Sequence, residues 1–315
     1  MTPSLEARGL TKRFGSFTAL DHLDLKVDGS KCVGFLGPNG AGKTTTLKMF
    51  TDLIFPSEGE AFINDISVQR HRKTALASCG ALIESPEIYG SLTPREALEL
   101  VGAVRGMARA EVRSRTDEVL AQVKMSEWAD QKFGRFSKGM KQRVNIASTL
   151  LSDPLVVMLD EPSTGLDPRG MAEVRSIIRD LKGQGRLIFF SSHILSEVVD
   201  VCDEVALVNR GKLLFYDTLA NVTARFTHGA TSVDAEFLSP VSDSDVTARI
   251  ATIPGVTGWS RLDDRRLSVM VDGGPAARAT VLEQIAALRL GLVGFHESRS
   301  ALEDIYLREI STGDS

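Results

Sequence analysis

The residues Gly37-Pro38-Asn39-Gly40-Ala41-Gly42-Lys43-Thr44-Thr45 fit the pattern G-x-x-x-x-G-K-[ST]. Glycines at these positions let the backbone turn tightly and aim its N–H groups at phosphate oxygens. A helix opening at Lys43 adds its positive end to the same anion. Lys43 is expected to reach the β- and γ-phosphates of a nucleoside triphosphate, and the Thr44 hydroxyl to bind Mg²⁺. A second stretch, Leu155-Val156-Val157-Met158-Leu159-Asp160-Glu161-Pro162, ends an apolar run in two acids. A buried strand there delivers Asp160 to the Mg²⁺ shell, usually through water. Glu161, one residue on, stands where a carboxylate could polarise a water attacking the γ-phosphate.

The elements that must position these groups are legible as alternating strands and helices up to about residue 220. Cys32–Leu36 reads as a strand before the helix from Lys43. Leu155–Leu159 precedes a helix over 169–181, and Leu187–Phe190 precedes one over 195–201. Strands alternating with helices imply a mostly parallel sheet with helices on its faces. Residues 93–107 and 109–123 read as helices without strands between them, a helical insertion covering about 90–150. After Asp217 the pattern changes. Val233, Ala235 and Phe237 recur at period two, and a helix over 245–253 follows. Strands near 256–262 and 265–271, a helix over 276–290, a strand over 292–297 and a last helix over 301–310 complete the series. The β-α-β-β-α-β order predicts a small α+β domain of ferredoxin-like type. The expected domains are thus 1–220 and 221–315.

Composition restricts the partners. Hydrophobic residues make up 43% and charged residues 25% of the 315, ordinary globular usage. A net charge of −4 argues against a nucleic-acid partner, and no aromatic pattern for RNA marks the C-terminal strands. Cys32, Cys79 and Cys202 lack metal-ligand spacing and read as reduced thiols of a cytoplasmic protein. The N-terminus shows no secretory leader, and no run approaches the roughly 18 apolar residues that span a bilayer.

Three further segments bring a family into view. Phe136-Ser137-Lys138-Gly139-Met140-Lys141-Gln142-Arg143 resembles the signature motif of ABC (ATP-binding cassette) ATPases. Ser163-Thr164-Gly165-Leu166-Asp167 resembles their D-loop, and His193 looks like their switch histidine. The resemblance covers roughly residues 5–220. It implies an α/β P-loop NTPase domain of ABC type with a helical insertion. Its ligands would be ATP and Mg²⁺, with Phe14 stacking on adenine and His193 bonding the γ-phosphate and orienting the water. It also implies a head-to-tail dimer, in which Ser137, Gly139 and Met140 serve the nucleotide of the opposite subunit. With one set of motifs per chain, a second nucleotide-binding subunit is required, and a homodimer is expected.

Most members of that family carry glutamine where Gly80-Ala81-Leu82-Ile83-Glu84-Ser85-Pro86 places Glu84. A carboxylate there can ligate Mg²⁺ with a full charge. This form resembles the bacitracin-, lantibiotic- and drug-export subfamily, as does the C-terminal stretch Ser300–Leu307. The resemblance implies a separate transmembrane permease and a peripheral position on the inner face of the cell membrane. The alternative is a soluble ABC ATPase of translation or repair. The doubled cassette and the long coiled coil of those types are both missing from the sequence.

Overall fold

The computed structural model describes residues 2–84, 88–222 and 230–297. The chain divides into two compact units, residues 1–218 and 219–315.

In the first unit, β1 (Ser4–Phe14) and β2 (Phe17–Asp28) form a long hairpin. With β4 (Glu58–Ile63) and β5 (Ile66–Ser67) they make a four-stranded antiparallel sheet in the order β2-β1-β4-β5. This sheet is additional to the alternating pattern expected from the sequence. Its mark was there in β2, where buried Leu23, Leu25 and Val27 alternate with outward Asp24, Lys26 and Asp28. Strict period two is what a half-buried antiparallel strand needs.

The second sheet has six strands and carries the chemistry. β3 (Cys32–Leu36), β6 (Cys79–Leu82), β7 (Val156–Asp160), β8 (Leu187–Ser192), β9 (Glu204–Asn209) and β10 (Lys212–Thr218) lie in the order β10-β9-β3-β8-β7-β6. All neighbours are parallel except β9 and β10. β3, β7 and β8 are buried along their whole length, as continuous apolar runs of a doubly covered parallel sheet should be. The helices are α1 (Lys43–Phe50), α2 (Arg72–Ala77), α3 (Pro94–Val104), α4 (Arg109–Gln122), α5 (Lys138–Leu150), α6 (Pro168–Gly183) and α7 (Leu195–Val201). A capping box at Thr93, reciprocated by Glu96, with Pro94 behind it, starts α3 and so opens the helical insertion. α5 closes that insertion against β6. The contact leaves no room for a side chain, since a Cβ on Gly80 would stand 2.1 Å from the Thr149 carbonyl oxygen.

The three thiols are free and buried. Although distant in sequence, the sulfurs of Cys32 and Cys202 stand 3.7 Å apart. Burial pushes the Cys79 thiol up to about 12, which leaves it unreactive.

The second unit is a four-stranded antiparallel sheet built from β11 (Ala230–Phe237), β12 (Val256–Asp263), β13 (Arg266–Asp272) and β14 (Leu292–Glu297), in the order β12-β13-β11-β14. With α8 (Pro275–Ala287) and the helical turns at 243–250, this is the ferredoxin-like β-α-β-β-α-β arrangement. Val233, Ala235 and Phe237 of β11 pack with Val246, Ile250, Val281 and Ile285 from the helical side. The helix expected over 245–253 is shorter, one helical turn at Asp243–Asp245 running into a π-helical turn at Val246–Ile250. The expected helix at 301–310 and the Ser300–Leu307 stretch lie outside the described residues, as do Ser85 and Pro86.

Candidate active site

The phosphate-loop residues occupy the carboxyl end of the central strand β3, a crevice position where open parallel sheets bind ligands. Gly37 is fixed there by contact, since a Cβ would fall 2.2 Å from the Val208 carbonyl oxygen. The Gly37 N–H donates to the Ser192 carbonyl at 3.2 Å, which ties the start of the loop to the end of β8. Ala41 is buried, and its N–H closes the loop onto the Pro38 carbonyl at 3.2 Å. The loop hands over to α1 at Lys43, which is 5% exposed. Its Nζ donates to the carbonyls of Gly37 (2.8 Å) and Pro38 (3.1 Å). It also pairs with Glu161 Oε1 at 3.2 Å.

The two acids are placed by one hydroxyl from the neighbouring strand. Asp160 and Ser191 are register partners of β7 and β8. The Ser191 Oγ donates to Asp160 Oδ1 at 2.6 Å and accepts the Glu161 N–H at 2.9 Å. Glu161 has φ of 45°, unusual for a side chain larger than Gly or Asn, and this turns its carboxylate back toward the loop. Oε2 accepts from the Thr164 hydroxyl at 2.9 Å and lies 3.0 Å from His193 Nδ1. An ionised carboxylate can only accept, so Nδ1 carries the proton in this pair. Burial works against ionisation of Glu161. The Thr164 hydrogen bond, the charge and hydrogen bond of Lys43, and His193 outweigh it and hold the carboxyl below its ordinary value.

The loop bearing His193 is braced from behind. The Ser192 Oγ donates to Glu197 Oε2 at 2.9 Å and accepts the Ile194 N–H at 2.9 Å.

A cleft of about 260 Å³ gathers Asn39, Gly40, Gly42, Lys43, Thr44, Thr45 and Glu161 on one side, with Phe14, Phe17 and Ala19 of the β1–β2 hairpin. The structure therefore unites Phe14, most of the phosphate loop and Glu161; Gly37, Pro38 and Ala41 of the loop stay behind the lining, His193 is hydrogen-bonded to Glu161, and Asp160 is joined to it through Ser191. Ser137, Gly139, Met140 and Glu84 lie elsewhere. Ser137, Gly139 and Met140 sit at the start of α5, where the Ser137 Oγ caps the helix by accepting the Met140 N–H at 3.2 Å. There α5 crosses α6, and a methyl on Gly139 would stand 3.4 Å from the Gly170 Cα. Asp167 caps α6 at the same crossing by accepting the Gly170 N–H at 3.0 Å. Glu84 is exposed and hydrogen-bonded to Lys48 Nζ at 2.6 Å, on the last turn of α1.

Sequence reasoning passed over Phe17, Ser191 and Glu197. Phe17 had a sign in the sequence, because it faces Phe14 across a two-residue turn. Ser191 emerges only once β7 and β8 are known to be neighbours.

A cleft at a glycine-rich loop, with a lysine and a positioned carboxylate, defines a P-loop nucleoside triphosphatase. The family model described as "ABC transporter" matches residues 20–164. The bacitracin transport ATP-binding protein BcrA of Bacillus licheniformis is 40% identical over 215 residues, 68% of this chain and 69% of that one. The daunorubicin resistance ATP-binding protein DrrA3 of Streptomyces coeruleorubidus is 31% identical over 300 residues, covering 95% of this chain and 90% of that one. Among solved structures, the ATP-binding subunit of an ABC transporter superposes with a TM-score of 0.62 at 30% identity, over 70% of this chain and 92% of that one. The chain belongs to the ATP-binding, ATP-hydrolysing subunits of ABC transporters. Among the described residues no helix is long and apolar enough to cross a membrane.

Proposed function

We propose that this subunit powers export of a peptide antibiotic or drug-like compound through a separate transmembrane permease, which holds it at the inner face of the cell membrane. The observation that carries the export reading is the likeness to the daunorubicin resistance protein, which runs through the second unit as well as the first.

Hydrolysis follows from the residues in the cleft. Phe14 stacks on the base, and the loop N–H groups with Lys43 hold the phosphates. Lys43 exchanges its contact with Glu161 for the β- and γ-phosphates. Glu161, kept ionised, then accepts a proton from the attacking water, while Thr164 and His193 hold its other oxygen. To donate to the γ-phosphate, His193 must turn Nδ1–H away from Glu161 or take a second proton on Nε2.

The donor set fits Mg²⁺, a hard cation bound by one or two protein oxygens together with substrate phosphates and water. The Thr44 hydroxyl and the Asp160 carboxylate, oriented by Ser191, would hold it. When bound, it supplies charge neutralisation on the β- and γ-phosphates. Glu84, beside Lys48, is proposed to influence the metal and the permease contact rather than to hold the nucleotide.

Ser137, Gly139 and Met140 lie outside the cleft of their own chain, which supports their use in a second subunit, a homodimer in the simplest case. A capped helix start is a ready phosphate site.

The test is purification of the tagged chain from detergent-solubilised native membranes, with mass spectrometry of what accompanies it. A stoichiometric multi-span membrane protein supports the proposal. Recovery from the cytosol alone, with ribosomes or repair proteins, would overturn it in favour of a permease-independent ATPase.

A further inference from the structure

The chain that carries His193 leaves the sheet at Ser192, the last residue of β8, and enters α7 at Leu195. Up to Ser192 its place is set by the sheet, through register with Leu36 of β3 and the Gly37 N–H on the Ser192 carbonyl. Past that point one hydroxyl shapes the turn. The Ser192 Oγ accepts the Ile194 N–H at 2.9 Å and has a single proton to give. Two acceptors compete for that proton, Glu197 Oε2 at 2.9 Å and the Ile194 carbonyl at 3.3 Å. The second distance is long for a hydroxyl donor, so the carboxyl of Glu197 takes it.

Glu197 is an expensive residue to keep there. It is 4% exposed, and its Oε1 is buried with no hydrogen-bond partner among the described residues. An unpaired buried oxygen lowers stability, and an apolar side chain of similar size would not carry that penalty. The neighbouring Val198 already docks α7 on β3, since a Cβ on Gly34 would stand 2.5 Å from its Cγ1. Packing therefore does not account for Glu197, whereas its hold on Ser192 does.

We infer that Glu197 is a positioning residue for hydrolysis: it keeps the Ser192 proton from the Ile194 carbonyl and so sets the turn that presents His193. The inference rests on the proposed role of His193 at the γ-phosphate. Without the Glu197 carboxyl the hydroxyl turns to the Ile194 carbonyl, which draws residues 192 and 194 together and shifts His193 between them.

Glu197→Met, close in volume and without the two oxygens, tests this in the full-length chain through Tm, ATP affinity by calorimetry, and kcat. Tm is expected to hold or rise, because the unpaired oxygen is gone and Ser192 still has the Ile194 carbonyl as acceptor. ATP affinity should stay within about threefold of the wild type, since the sheet holds the start of the phosphate loop. The kcat should fall by roughly 10- to 100-fold, as for a group displaced beside the chemistry. Glu197→Gln keeps an acceptor for Ser192 and should recover most of that loss. In a His193→Ala background, Glu197→Met should change kcat by less than about twofold, because both act through one group. Wild-type kcat in Glu197→Met would overturn the inference. So would a fall in Tm alongside the loss of kcat, no recovery in Glu197→Gln, or an undiminished effect in the His193→Ala background. His193→Ala that hydrolysed ATP like the wild type would remove the role of His193 itself, and this inference with it.

Discussion

Replacing Ser191 with alanine removes one oxygen and breaks two connections. The hydroxyl is fully buried, donates to Asp160 at 2.6 Å and accepts from the backbone of Glu161 at 2.9 Å. The substitution leaves a buried carboxylate oxygen and a backbone N–H without that partner, at about 1–3 kcal/mol each, the carboxylate toward the upper end. The sum is about 3–6 kcal/mol. For a unit of this size each kcal/mol lowers Tm by about 2–4 °C, so a fall of roughly 6–24 °C is expected. Catalysis should suffer separately, because the two acids are held in one geometry by the same atom. A carboxylate displaced by as much as 1 Å can cost about 100-fold, so kcat should drop by roughly 10- to 100-fold. ATP affinity, set by the phosphate loop and the rings, should stay within about threefold of the wild type on this argument. Differential scanning calorimetry and steady-state ATPase assays supply the readings. A variant with Tm within 2 °C and kcat within twofold of the wild type, both margins being roughly assay error, would refute the claim that this hydroxyl positions both acids.

Glu161→Gln should slow hydrolysis by roughly 10²–10⁴-fold while ATP-bound dimers accumulate on size exclusion, and full turnover would remove Glu161 from its role. Its stability effect should depend on pH in one direction. The folded-state pKa lies below the ordinary glutamate value of 4.5, so the carboxylate's contribution is complete above that value and is lost as pH falls through the lowered one. The Tm difference between wild type and Glu161→Gln should therefore be flat above about pH 5.5 and shrink below 4.5; a difference that does not move across this window contradicts the assignment. Lys43→Ala should weaken ATP binding measurably by calorimetry, and unchanged affinity would count against its place in the phosphate cradle. Glu84→Gln breaks the ion pair with Lys48 and should change Mg²⁺ dependence or permease stimulation more than ATP affinity. Identical metal titrations and identical stimulation would leave that role without support.

The parts of the site made by one continuous stretch were readable before any fold was known. Residues 37–45 need only their own order to bend around a phosphate, and Asp160-Glu161 need only an apolar strand before them. Contacts made across strands were not readable. The Ser191 bridge requires β7 and β8 to be neighbours, an ordering of the sheet that pattern alone leaves open. Phe17, opposite Phe14 across a two-residue turn, was missed because such a pair carries no nucleotide motif until the cleft is seen. Glu84 adds a cross-element contact of the same kind. Its place in the sequence suggested a metal ligand; the structure shows it paired with Lys48 on the last turn of α1, a partner the sequence did not reveal. The ferredoxin-like order survived short-strand ambiguity because its period-two faces are clean, as in Leu267, Val269 and Val271. The helical stretch at 245–253 lacked such regularity and is a helical turn at Asp243–Asp245 running into a wider π-helical turn at Val246–Ile250.

Helix α5 is gripped near one end by a contact that admits no side chain, Gly80 against Thr149, and near the other by van der Waals contact of Gly139 with Gly170. Its 13 residues make a beam about 20 Å long at 1.5 Å per residue. Tilting such a beam by about 10° around the Gly80 end would carry Ser137 about 3.5 Å, more than the reach of a hydrogen bond. The Gly170 contact blocks such an excursion toward α6 unless α6, capped by Asp167, travels too. The helical insertion is thus geared to the segment that follows Glu161. A displacement of the α5 start toward α6 is then shared by the two helices.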